Sequence, residues 1–196
     1  MLTFAAAVFF LIVTPGPGVL SIAGVGSAFG GRAGFRYFAG LFLGNFAVAL
    51  AVISGLAAIL LAAPVVRTAL FLASTAYLLY LAIRIATAGS KLAFIEAARP
   101  PGIRDGLALQ AINPKAYAVN TALFTGFAFM PDAPGWEAAI KLLILNAIWI
   151  PIHVAWLWAG VTVRRLDLAP GTQRAINIAM AASMLAVVGL ALLSLV

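Results

Sequence analysis

Apolar residues run along this chain in long blocks rather than in the alternations or one-sided stripes of a soluble domain. From Leu2 to Phe29 no charged side chain interrupts the chain. Comparable blocks cover about Tyr37–Ala63, Val65–Ala86, Leu107–Met130, Trp136–Val163 and Ala175–Leu195. A helix crossing the hydrocarbon core of a bilayer needs roughly 20 such residues, so the pattern predicts six membrane-spanning helices. Breakers and charges separate them: "GGRAG", "AAPVVR", the polar stretch Ala88–Asp105, "PDAPG" and "RRLDLAPGTQR". Only Pro64 and its neighbours divide the second block from the third, so a re-entrant hairpin there is the alternative.

Inside the first block, "VTPGPGV" places two prolines and two glycines together. Proline removes a backbone donor and clashes with the preceding turn, and glycine tolerates open backbone. A helix through Thr14, Pro15, Gly16, Pro17 and Gly18 is therefore predicted to break. Unpaired carbonyl and N–H groups are too costly against lipid and must face protein or a polar cavity. The fourth block meets a second interruption, Asn113-Pro114-Lys115 in "QAINPKAYAVN". The expected fold is all-α: six transmembrane helices arranged as a 3+3 inverted repeat, with the first and fourth helices broken. It forms a single transmembrane domain over 1–196, with a first repeat of about 1–87, a linker of about 88–105 and a second repeat of about 106–196. Paired discontinuous helices of this kind mark the substrate site in inverted-repeat transporters.

Composition agrees and removes other classes. Apolar residues make up 65% of the 196, charged residues 9%, and mean hydropathy is +1.14; soluble domains are about 45–50% apolar and about 25% charged. The net charge of +7 does not point to nucleic acid, because the basic residues lie in short loops and offer no continuous face to track phosphates. Of twelve Lys and Arg, ten fall on the side of the first, third and fifth connections: Arg32, Arg36, Arg84, Lys91, Arg99, Arg104, Lys115, Arg164, Arg165 and Arg174. Arg67 and Lys141 lie opposite, diluted by Asp132 and Glu137. That bias predicts a cytoplasmic first side, a plasma-membrane location and both termini outside the cytoplasm. The N-terminus lacks the basic region of a signal peptide and is expected to stay as the first span. "KLAFIEAARP" in the longest connection is expected to be a short amphipathic piece.

"TPGPG", "GRAGFRYFAGLFLGN", "STAYLLYLAIR" and "LQAINPKAYAV", taken in order, resemble the LysE/RhtB amino-acid exporter family. The resemblance implies efflux of amino acids or close derivatives from the cytoplasm, driven in many members by the proton gradient. The family usually has Asn where this chain has Gly18, and a Pro-Gln-Phe-like segment where it has "LFTGFAFMPD".

A zwitterionic amino acid needs partners for a carboxylate and an ammonium. The half-helix N-termini after Pro17 and Pro114 suit the carboxylate, unwound carbonyls suit the ammonium, and Asn45, Asn113 and Asn120 donate and accept. The candidate substrate-binding residues are thus Thr14, Pro15, Gly16, Pro17, Gly18, Asn45, Asn113, Pro114, Lys115 and Asn120. Lys115 has three readings: a partner for the substrate carboxylate, a partner for Asp105, or a side chain reaching to the interface. His153, in "WIPIHVAWLW", is the candidate for proton coupling, with helix-to-helix bonding as its alternative. No Asp or Glu is placed in an apolar core. Gly40 and Gly44 predict close helix contact, Asn146 and Asn177 bonds between helices, and Tyr77 and Tyr80 packing or path-lining roles. Without Cys or core carboxylates, no metal and no cofactor is expected, and export of metal or other cations is the weaker alternative. The chain shows no nucleophile–base set, so enzymatic activity is not expected. The expected partners are a small amino-acid substrate and the lipid bilayer; a homo-oligomer is left open.

Overall fold

The computed structural model describes residues 1–14, 16–87, 99–166 and 168–193. Among them every regular element is a helix: α1 Leu2–Val13, α2 Pro17–Phe29, α3 Gly31–Ile53, α4 Leu56–Ala62, α5 Pro64–Ala86, α6 Ile103–Ile112, α7 Pro114–Gly126, α8 Pro134–Arg165 and α9 Pro170–Leu193. Five of these open on a proline, where the missing N–H costs nothing and the fixed φ is already helical. The prolines that end one helix therefore begin the next.

Three helices, α3, α5 and α8, are each long and apolar enough to cross a membrane, and α1 with α2 forms a fourth such stretch, bent by 51° at its break. At 10 and 13 residues, α6 and α7 are each too short to cross alone. The block expected over Tyr37–Ala63 differs from the prediction at both ends. Its helix begins earlier, at Gly31, and stops at Ile53, where Gly55 turns the chain with φ +77° into the separate short helix α4. "KLAFIEAARP" lies mostly outside the described residues.

An apolar core is buried, as in a soluble protein, but polar groups are buried beside it and large apolar side chains also cover the outside. Ser21, Asn45, Gln110, Asn113, Asn120 and His153 are buried, while Leu2, Ile59 and Leu143 are 70–85% exposed. Polar groups turn inward to find partners, and the apolar outside meets lipid. At the centre stands α2, whose residues from Pro17 to Ala28 are almost all buried. Its small side chains allow this. A Cβ at Gly160 of α8 would overlap the Ala23 carbonyl, and one at Gly26 would lie 2.8 Å from the Leu157 oxygen. The same device joins α3 to α6: a Cβ at Gly40 would overlap the Ile103 carbonyl, one at Gly106 the Tyr37 carbonyl, and one at Gly44 would meet Gln110. Such close approach is how helices gain packing where lipid supplies no hydrophobic drive.

Polar side chains close the helix ends. Arg164 donates to the carbonyls of Ala28 (2.5 Å) and Ser27 (3.4 Å), placing a cation on the negative end of α2. Asn177 accepts from Ser27 Oγ at 2.9 Å, a bond between helices, whereas Asn146 donates to Leu142 within its own helix. Two charges depart from the prediction. Glu137 and Lys141, expected as charges at the less basic end of the block Trp136–Val163 with no carboxylate in a core, form a buried ion pair at 2.8 Å in α8. Glu137 also accepts the N–H groups of Phe129 and Met130, and Lys141 donates to the Phe124 carbonyl. The pair is tolerated because each charge is neutralised by the other and finishes the backbone beyond α7.

Candidate functional site

The first break is opened by backbone. Thr14 ends α1 with its N–H on the Phe10 carbonyl, Gly16 is extended (φ −161°, ψ −179°), and α2 starts at Pro17 with no side-chain cap. Leu20 donates the first helical bond, to the Gly16 carbonyl, so helix geometry leaves the N–H groups of Gly18 and Val19 without an intrahelical acceptor. The second break is opened by one residue. Asn113 is extended (φ −79°, ψ 106°), its Oδ1 accepts the Lys115 N–H at 3.1 Å, and its Nδ2 donates to Gln110 Oε1 at 3.0 Å. This is an ordinary N-cap, placed in the middle of what the sequence reads as one span.

The two breaks touch. Lys115 Nζ donates to the Thr14 carbonyl at 2.7 Å, across 101 positions of sequence. Gly16 leaves room for that side chain: a Cβ there would lie 2.8 Å from Lys115 Cδ. Gly18 opens onto His153 Nε2 and Gln110 Nε2, which a Cβ would approach to 3.4 and 3.8 Å. His153 Nδ1 lies 2.9 Å from the Trp149 carbonyl. A carbonyl only accepts, so Nδ1 carries the proton and Nε2 of the neutral ring is an acceptor. The imidazole stacks on the Trp149 indole, centroids 3.5 Å apart. Asn120 Nδ2 donates to Asn45 Oδ1 (3.2 Å) and to the Ala116 carbonyl (2.8 Å), while Asn120 Oδ1 has no hydrogen-bond partner among the described residues.

These groups enclose a cavity of about 40 Å³ lined by Thr14, Gly16, Gly18, Val19, Asn45, Gln110, Asn113, Lys115, Trp149 and His153, among others. At about 10–15 Å³ per water, it holds a few waters and no amino acid.

A polar cavity between two interrupted helices within an apolar bundle is where many membrane transporters place their solute. A family model, LysE type translocator, matches residues 9–195. The chain belongs to the LysE type translocator family. It is therefore a multi-pass membrane transporter of a family that is not enzymatic, with a small-molecule substrate and the lipid bilayer as its surroundings. Comparison with curated proteins and with solved structures returns no match.

Thr14, Gly16, Gly18, Asn45, Asn113, Lys115 and His153 come together around the translocator's cavity. Pro17 is buried at the head of α2, and Asn120 stands behind Asn45. Pro114 faces elsewhere, into an apolar crevice of about 700 Å³ that also touches Leu61, Phe71 and Tyr117. Pro15 lies outside the described residues. The suggested Lys115–Asp105 pair does not form: Asp105 accepts the Gly102 N–H at 2.7 Å and lies 3.7 Å from Arg99. Lys115 Nζ instead meets the Thr14 carbonyl, which the break leaves without a helical donor. Gln110 and Trp149 were missed. A signal for Gln110 was present: it is a lone amide in an apolar run, one helical turn before Asn113.

Proposed function

We propose that this translocator exports amino acids or closely related small zwitterions from the cytoplasm, through a site formed where its two helix breaks meet. The observation that carries the proposal is the Lys115–Thr14 bond. It pairs an ammonium with a main-chain carbonyl inside the cavity, the same contact a substrate ammonium would make. In the proposed cycle the substrate carboxylate draws Lys115 away from Thr14 and also meets the free N–H groups of Gly18 and Val19. The vacated Thr14 carbonyl, with the amide oxygens of Asn45 and Asn120, receives the substrate ammonium. Lys115 is thus a tethered stand-in that holds the site shut until the solute replaces it.

The proposed frame is six spans in a 3+3 inverted repeat, with repeats of about 1–87 and 106–196 in one domain. Packing supports it. Taking α1–α2, α3–α4 and α5 as the first three spans and α6–α7, α8 and α9 as the next three, the closest pairs are second with fourth, first with fifth, and third with sixth. Exchanging the halves maps that set onto itself. Opening would be a rocking of one half against the other about the fixed site. The charge bias supports a plasma-membrane orientation with the arginine-rich side cytoplasmic and both termini opposite.

His153 is the proposed proton carrier. Among the described residues Lys115 is the one charged group facing it across the cavity, from α7. A proton on Nε2 adds positive charge beside that ammonium, so proton and solute occupancy are coupled through a single cavity. Reconstituted vesicles loaded with a panel of labelled amino acids, with and without a pH gradient, test the proposal. Efflux above protein-free vesicles for at least one compound is expected; background flux for every compound would overturn it.

A further inference from the structure

We propose that the arginine-rich end of the bundle holds a separate binding site for a phosphate-bearing anion, in its membrane setting the headgroup of an anionic phospholipid. Arg32, Arg36, Arg99 and Arg104 line one cavity of about 550 Å³, floored in part by Phe29 and Pro101. That volume suits a headgroup with its glycerol rather than a bare ion.

Convergence, not abundance, distinguishes the place. Arg32 and Arg36 are four residues apart at the start of α3 and share a face, and Arg104 is the second residue of α6. The glycine contacts of Gly40 and Gly106 bring the backbones of α3 and α6 together just beyond these positions. Two helix beginnings thus lie side by side next to the guanidinium groups, that of α6 closed by Asp105, whose carboxylate accepts the Gly102 N–H. Arg84 holds the rim by donating to the Arg99 carbonyl at 2.5 Å, ahead of the stiff Pro100-Pro101 pair.

Among the described residues most of these guanidinium groups are not spent internally. Arg164, on the same end, is consumed by the α2 carbonyls. Among the described residues Arg99 meets the single carboxylate nearby, Asp105, at 3.7 Å, and no carboxylate pairs with Arg32, Arg36 or Arg104. Like charges gathered around one concavity repel, and an anion relieves that repulsion. A phosphate fits best, because its oxygens match the paired N–H fork of a guanidinium. Basic pockets between membrane helices bind acidic headgroups by this chemistry.

The test uses the full chain in detergent micelles, doped with phosphatidylglycerol, with phosphatidylcholine, or with inorganic phosphate alone. Lipid retained on the protein is read by native mass spectrometry, and Tm is read alongside. Phosphatidylglycerol should be retained and raise Tm, and phosphatidylcholine should not. Arg36→Gln/Arg104→Gln should lower retention at least about tenfold, the factor expected from losing one charged hydrogen bond of about 1.5 kcal/mol. Arg165→Gln, which lies outside the cavity over the Trp158 ring, should keep it. Should the double variant not fold, Arg36→Lys/Arg104→Lys preserves charge but not the fork, and should show an intermediate loss. Equal retention in the cavity variants and the Arg165 control would overturn the site in favour of diffuse attraction. A Tm rise from inorganic phosphate as large as that from phosphatidylglycerol would overturn the lipid source and leave a soluble anion. None of these outcomes depends on which solute is exported.

Discussion

At the first break the helix is opened by backbone composition and left uncapped; at the second it is opened by Asn113 and capped by that residue's own side chain. The first therefore presents groups in need of partners, the Thr14 carbonyl among them, while the second is locally satisfied and has a cation to spare. Lys115 crosses from one to the other. Two interruptions that look equivalent along the chain thus have opposite polarity in space: one receives an ammonium and the other lends it. A zwitterion carries both groups, so an unlike pair of breaks suits it better than two copies of one kind.

The sharpest way to break this comparison is to remove the lender. Lys115→Met leaves the Thr14 carbonyl without its charged donor, a loss of about 1.5–3 kcal/mol, and efflux should fall about 10- to 100-fold while membrane insertion is retained. Undiminished efflux would show that the contact is incidental. A smaller effect is expected at the borrowing side. Gly16→Ala puts a Cβ against Lys115 Cδ without straining the extended backbone, and should cut efflux several-fold by pushing the lysine aside. Gly18→Ala makes only ordinary contact with His153 and should change efflux less; the reverse order would sink the proposed role for Gly16.

Asn113→Ala removes an N-cap worth about 1 kcal/mol and should slow efflux by about fivefold, with Asn113→Asp restoring most of it because the carboxylate still accepts the Lys115 N–H. The smallest effect on rate belongs to His153→Gln. Efflux at its best pH should stay within a few-fold, but its dependence on pH should flatten; an unaltered profile would make the imidazole a packing group.

Much of this was legible along the chain, for local reasons. Proline and glycine at 15–18 and proline after Asn113 act on the backbone where they stand, so the interruptions could be located without a partner in view. Other features depended on neighbours far away in sequence. Glu137 and Lys141 read only as charges on the less basic side because nothing in their own stretch shows that the end of α7 and the loop after it pack onto them. The end of α3 was missed because Ser54-Gly55 can pass through a membrane helix or stop it, and only packing decides. Gln110 was passed over because its importance lies in facing Gly18 and Asn113 across a cavity.

The sequence by itself determined the solvent and the places where helices yield, because transfer of side chains to lipid and the helix-breaking action of proline are properties of residues one at a time. Tertiary structure alone decided that both openings share one cavity, that Lys115 answers Thr14 rather than Asp105, and that four arginines converge instead of dispersing. Hydrogen bonds and charges depend on distances in space, and here the controlling distance is set by glycines that let helix backbones come into contact.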